Sequence, residues 1–371
     1  MPQERIVSAD SHVIEPPDVW TARIEHRFAD RAPHVVKEFN GHAGDYFVAE
    51  GMQPLAVAAF AVAGVNPREF KHKMREGYAN VRPGGWDPVE RIKDQDRDGV
   101  TAEVIYPSFG MRLFQLEDGE LRKACFRAYN DWLAEYCSYD PHRLAGIATI
   151  ALDDPVMGTE ELARVAAKGL KGAMIWGEAP AEAPYNDPVY DRFWAVAQEA
   201  GVPISLHVVT ERRSTPAPDP KKVSIMKHYV TMHHGIEKSL VDLILGGVLE
   251  RFPKLKIVSV ENDIGWIPHL LQRADHAYDR YRFLERDGAV PNPPSYYFRR
   301  QVYATFQDDR VGIVTRELVG VANLMWASDY PHSDSTWPNS QEVIARDFAG
   351  VSEHDRRMIT ADNAAQLYGV G

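Results

Sequence analysis

From Asp87 onward the chain repeats one unit, a short apolar run followed by an amphipathic stretch at helical spacing. Val100 to Tyr106, Leu144 to Leu152, Leu170 to Trp176, Val202 to His207, Leu255 to Val260, Val302 to Phe306 and Leu324 to Ala327 read as strands. Ile6 to His12 reads as another, ahead of them. Helices are expected over Glu117 to Ser138, Gly158 to Ala167, Asp187-Pro188 to Gly201, Ile236 to Phe252 and Ile264 to about Arg286. Others are expected over Val311 to Glu317, Asn339 to Phe348 and Glu353 to Leu367. Strand-helix alternation at this length has two parallel-sheet solutions, a (β/α)8 barrel and an open doubly wound sheet. The open sheet favours a glycine-rich phosphate loop after the first strand. Here that strand ends in Asp10-Ser11-His12, so the expected fold is an α/β (β/α)8 TIM barrel.

Residues 13–90 break the alternation. Pro16, Pro17, Pro33, Pro54, Pro67 and Pro83 fall among scattered aromatics, and the segment reads as an insertion over one end of a single domain spanning 1–371. Trp20, Phe47, Phe60 and Trp86 are the expected apolar lid. The prolines at 216, 218 and 220 mark a long loop after the fifth strand.

A net charge of -11 argues against a nucleic-acid partner. Cys125 and Cys137 share one expected helix, too far apart to pair, which suits a reducing cytoplasm. No signal-peptide pattern or membrane-length apolar run is present, so the expectation is a cytoplasmic protein with a small-molecule substrate and no membrane partner.

Barrel chemistry sits at the carboxyl ends of the strands. Asp10 and His12 lie two residues apart, on one face of an extended strand. His207 ends the fifth strand, Glu261-Asn262-Asp263 the sixth, and Ser328-Asp329-Tyr330-Pro331-His332 the eighth. These are nitrogen and oxygen donors without a thiolate, which suits Zn, Fe or Mn. His233 and His234, in the loop before Ile236, and Glu178 are further reach candidates. His26, His34, His42, His72, His142 and His354 read as surface residues.

The opening Asp10-Ser11-His12, the unit Leu243 to Val258, the run Tyr296 to Phe306 and the stretch Ala327 to Pro338 together resemble the amidohydrolase superfamily. They are similar to the amidohydrolase-related branch that includes aminocarboxymuconate-semialdehyde decarboxylase. The resemblance implies metal ligation by Asp10, His12, His207 and Asp329. It admits a homodimer, with no self-complementary surface legible in the sequence.

One position departs from the pattern. Decarboxylases of this branch carry a histidine where Glu261 stands. Asp10, Glu261 and Asp329 crowd three carboxylates beside two imidazoles, which calls for positive charge. Glu261 is therefore expected as a further metal ligand, with one or two divalent metals per chain. The expected activity is hydrolysis of an amide, ester, thioester or carbon–carbon bond by metal-activated water. Asp329, His332 and His234 are the expected catalytic residues. The second reading is a metal-dependent non-oxidative decarboxylase of an aromatic or muconate-like acid, and the third a ligand-binding barrel without catalysis.

Overall fold

The computed structural model describes residues 4–73, 76–210, 224–285 and 289–371. Eight strands form one parallel sheet: β1 (Val7–His12), β5 (Ala102–Tyr106), β6 (Leu144–Thr149), β7 (Gly172–Ile175), β8 (Ile204–His207), β9 (Ile257–Val260), β10 (Val302–Phe306) and β11 (Leu324–Trp326). Their spatial order is their chain order. Two backbone bonds draw the last strand end to the first: His12 N–H to the Tyr330 carbonyl at 2.6 Å and Asp329 N–H to the Asp10 carbonyl at 2.9 Å. The sheet is thus a nearly closed barrel flanked by helices. The strands are buried almost throughout, as expected where both faces are covered.

Helix ends follow local chemistry. Asp87, Asp118 and Asp154 each accept backbone N–H groups at a helix start, and Pro88 and Pro155 occupy the first helical turn. Gly99, at φ 75°, closes the first of these helices in the left-handed region open to glycine. The expected Ile236 to Phe252 helix differs in two ways. It begins earlier, at His233, and it divides into His233–Leu245 and Val248–Arg251, because Gly247 turns left-handed at φ 76°. The last helix carries a wide turn over Met358–Asp362.

Between β1 and β5 lies a three-stranded antiparallel sheet, β2 (His34–Phe39), β3 (His42–Val48) and β4 (Leu55–Ala56). Its hairpin turns on Asn40-Gly41, both at positive φ (51° and 75°), the residue pair that a two-residue turn demands. Trp20 and Phe47 are buried, with the Trp20 indole donating to the Cys125 carbonyl. Tyr297 and Phe298 pack in the wall as expected, whereas Tyr296 is exposed. The proline loop at 216–220 lies outside the described residues. No helix among those described is long and apolar enough to cross a membrane.

Arg91, on the helix Pro88–Asp98, is wholly buried and braces the barrel mouth. Its Nε donates to Glu103 at 2.5 Å, its Nη1 to the His12 carbonyl at 2.7 Å, and its guanidinium lies 4.6 Å from the Tyr330 ring centre. Arg91→Met leaves Glu103 buried without its cation. The expected loss is roughly 3–5 kcal/mol of stability, read as a lower urea midpoint at unchanged slope.

Candidate metal centre

β1 carries a bulge between Ser8 and Ser11. Bulges re-aim side chains beside functional sites, and this one lies where Asp10 meets His12. A chain of serines ties the bulge to the last strand end. Ser8 Oγ donates to the Asp10 carbonyl and accepts from Ser328 N–H, while Ser11 Oγ reaches Ser8 Oγ at 2.9 Å and Ser328 Oγ at 3.1 Å.

Asp10, His12, His207 and Glu261 come together, one ligand atom from each lying within 4.8 Å of the others. His12, Asp329 and His332 form an overlapping group. His12 Nδ1 lies 2.8 Å from the Pro107 carbonyl, and His207 Nδ1 lies 3.0 Å from the Val208 carbonyl. A carbonyl only accepts, so each Nδ1 carries a hydrogen and each Nε2 faces inward, where the neutral ring offers a lone pair to a cation. His12 Nε2 is 3.3 Å from Asp10 Oδ1 and 3.2 Å from Asp329 Oδ1. His207 Nε2 is 3.7 Å from Asp10 Oδ1 and 3.6 Å from Glu261 Oε2. Both oxygens of Asp10, both Nε2 atoms and Asp329 Oδ1 are buried and make no hydrogen bond with described residues. Inward lone pairs facing carboxylates in a buried site match the donor set of a divalent cation. The described cluster is able to hold one.

The electrostatics agree. Burial favours a neutral Asp10, yet the imidazoles of His12 and His207 beside it hold its carboxyl below the usual range. Burial opposes charge on His12 too, and Asp10 and Asp329 still raise it well above an ordinary histidine. Asp329 is held low against burial by His332 and His12. Glu261 is pushed well up by burial, then by Asp329 and Asp10. The site therefore stabilises positive charge between Asp10 and Asp329. Val209, Glu261 and Asp329 follow three strand ends at φ 58°, 57° and 55°, in a region non-glycine residues rarely enter. Such backbone strain gathers at functional sites.

His332 stacks on His12 with ring centres 3.9 Å apart, and its Nδ1 is 3.0 Å from Asp329 Oδ1. Ser108 Oγ donates to the Val13 carbonyl at 2.7 Å, so the same oxygen accepts from His332 Nε2 at 2.8 Å. This fixes the Nε2–H tautomer and turns Nδ1 to Asp329. Ser108→Ala frees that tautomer and is expected to lower turnover roughly 10–100-fold, as loss of an outer-shell partner does. Ser108→Thr, keeping the hydroxyl, should restore most of it.

Glu15 holds the loop that carries Ser108, accepting from Phe109 N–H at 3.0 Å and Gly110 N–H at 2.7 Å. Burial raises its carboxyl from 4.5 to about 7. A raised acid binds its proton more tightly in the folded chain, so this contribution to stability is full below 4.5 and falls away as pH rises through about 7. Denaturant midpoints should decline across that window, and less steeply in Glu15→Gln.

Two expected site residues lie apart. His234 is exposed and groups with His233 and Glu237 in the first turns of the helix His233–Leu245, not with the strand-end cluster. The loop expected there is helix. Glu178 is paired with Lys238 at 2.8 Å. Ser108 follows the end of β5, a strand whose end offers no metal-ligating residue type. Its partners Val13 and His332 are remote in sequence, so nothing local marks it.

A cavity of about 410 Å³ opens on Glu261, Asp329 and His332. Leu55, Phe60, Met111, Val208 and Met232 are among its walls.

The amidohydrolase family profile matches residues 15–370. The chain belongs to this amidohydrolase family. A curated relative is 26% identical over 333 residues, 82% of this chain and 92% of its own; it is a gamma-resorcylate decarboxylase from a Rhizobium species. Among solved structures, an amidohydrolase from Mycobacterium avium subsp. paratuberculosis superposes with TM-score 0.76 at 23% identity, covering 100% of both chains. A dihydroxybenzoic acid decarboxylase from a Polaromonas species, with bound manganese and the inhibitor 2-nitroresorcinol, superposes with TM-score 0.66 at 18% identity over 99% of this chain and 97% of that one.

These relatives overturn the hydrolase expected from the sequence. The curated relative matched along most of its length is a decarboxylase of an aromatic acid, which agrees with the second reading instead. The physical error is visible in the amidohydrolase site. Hydrolysis was argued from Glu261 standing where a histidine was expected. His332, from beyond β11, stacks on His12 and faces Asp329, so an imidazole stands beside the carboxylates although none follows β9.

Proposed function

We propose that this amidohydrolase is a metal-dependent, non-oxidative decarboxylase of an aromatic acid. The observation that carries the reading is the set of buried, unpartnered donors on Asp10, His12, His207 and Asp329, the last of which lines a cavity whose walls are largely apolar. The fourfold cluster and the threefold one share His12. One Nε2 lone pair serves one ion, which favours a single metal held by Asp10, His12, His207 and Asp329, with Glu261 beside it. Manganese, the ion bound by the Polaromonas relative, is the first choice, ahead of zinc and iron.

Such a metal supplies Lewis-acid anchoring for the substrate carboxylate and a neighbouring oxygen. The rest of the chemistry belongs to the chain. The departing carboxylate leaves its bonding pair on a ring carbon, which takes up a proton as carbon dioxide forms. Asp329 faces the cavity and delivers that proton to the ring carbon, and His332 Nδ1, 3.0 Å from it, takes up a proton from solvent and passes it to Asp329 to restore the acid for the next cycle. Apolar walls exclude water, which favours the loss of charge as carboxylate becomes carbon dioxide. Residues 13–90 form an insertion in this reading, and Leu55 and Phe60 from it roof the cavity.

The test is carbon dioxide release from 2,6-dihydroxybenzoate and 2-hydroxybenzoate by manganese-loaded protein, run beside an ester and amide panel. Release without hydrolysis supports the reading. Hydrolysis without release, in metal-replete protein, refutes it.

A further inference from the structure

The cavity at the metal centre is larger and less polar than a hydroxylated benzoate requires. A space of roughly 150 Å³ admits a benzene ring, whereas this one measures about 410 Å³. A ring with its carboxylate therefore leaves a substantial part of it unfilled. Leu55, Phe60, Val62, Met111, Val208 and Met232 line the cavity, and none of its described lining residues is a lysine or arginine. The ionisable side chains that line it are Glu261, Asp329, His332 and Tyr229. A second substrate carboxylate would meet apolar walls, two acidic side chains and no cation among the described lining residues.

We infer that the ring of the preferred acid carries an uncharged, apolar substituent on the side away from its carboxylate, an alkyl or aryl group seated against the apolar wall that includes Leu55 and Met232. The inference rests on the decarboxylase reading for the orientation of the acid, and it narrows that reading to monocarboxylic substrates. Dicarboxylic aromatic acids and muconate-like diacids fall outside it. Specificity then comes from the cavity wall. An added methylene in such a pocket changes selectivity roughly tenfold or more.

The experiment uses the manganese-loaded full chain and 2-hydroxybenzoates substituted at ring positions 4 or 5 with hydrogen, hydroxyl, carboxyl, propyl or phenyl. Binding is measured by calorimetry and carbon dioxide release separately. The expected order places the propyl and phenyl acids at least tenfold tighter than the unsubstituted acid, and the carboxyl acids weakest. Leu55→Lys, a change at a half-buried wall position, should reverse the order of the propyl and carboxyl acids. Carboxyl or hydroxyl acids binding as tightly as the propyl acids, with carbon dioxide still released, would overturn the inference and leave the decarboxylase reading standing. The expected binding order with no carbon dioxide from any acid would uphold the apolar wall and overturn the decarboxylase reading.

Discussion

Asp329→Asn is expected to lower turnover of the aromatic acid by roughly 10²–10⁴-fold, the usual worth of a positioned proton donor. Asparagine keeps the shape of the side chain and one acceptor oxygen, so the bond from its backbone N–H to the Asp10 carbonyl and the fit beside His12 survive. It cannot take up or release a proton. It also removes the carboxylate that, with Asp10, raises His12 and that His332 Nδ1 faces at 3.0 Å. Metal content measured on the same preparation separates the two roles. Lost turnover with metal retained assigns Asp329 to the proton. Lost turnover with lost metal assigns it chiefly to ligation. A variant that keeps its metal and works within threefold of the parent would remove Asp329 from the mechanism.

Removing the metal should have the other large effect. Stripped protein is expected to release no carbon dioxide, to melt lower, and to recover both properties on adding manganese. The buried centre gathers Asp10, Asp329 and Glu261, and the unpartnered atoms of the first two face the lone pairs of His12 and His207. A cation that binds this folded cluster and not the unfolded chain stabilises by mass action, about 2.7 kcal/mol at a hundredfold excess over Kd. For a chain of this size that corresponds to a rise in Tm of roughly 3–4 °C. Titration should saturate near one equivalent, because both groups of ligands share His12. An unchanged Tm on adding manganese, with no uptake of metal, would leave the site without its proposed occupant. Saturation near two equivalents would instead give Glu261 an ion of its own.

The barrel was legible because the forces that make it are local. Each strand is a run of β-branched and apolar residues, buried on both faces, and each helix start is written in a residue such as Asp118 or Asp154. Asp10, His12, His207, Glu261 and Asp329 are legible as candidate ligands for a related reason. A parallel barrel brings all strand ends to one mouth, so a ligand at a strand end needs no tertiary detail to be suspected. The small sheet over residues 34–56 was missed although Asn40-Gly41 marks its hairpin, because surrounding prolines hid the alternation.

What the chain order alone determined was the fold and a ring of oxygen and nitrogen donors. The tertiary structure decided how that ring is arranged. It turned His12 Nε2 between Asp10 and Asp329, by giving its Nδ1 to the Pro107 carbonyl 95 residues away. It set His332 on His12 and pinned it through Ser108, across 224 residues. It moved His234 out to a separate exposed turn. These choices depend on distances between remote segments, on burial that shifts the charge of each group, and on left-handed backbone at Glu261 and Asp329. None of them has a local cause, and so none could be read along the chain.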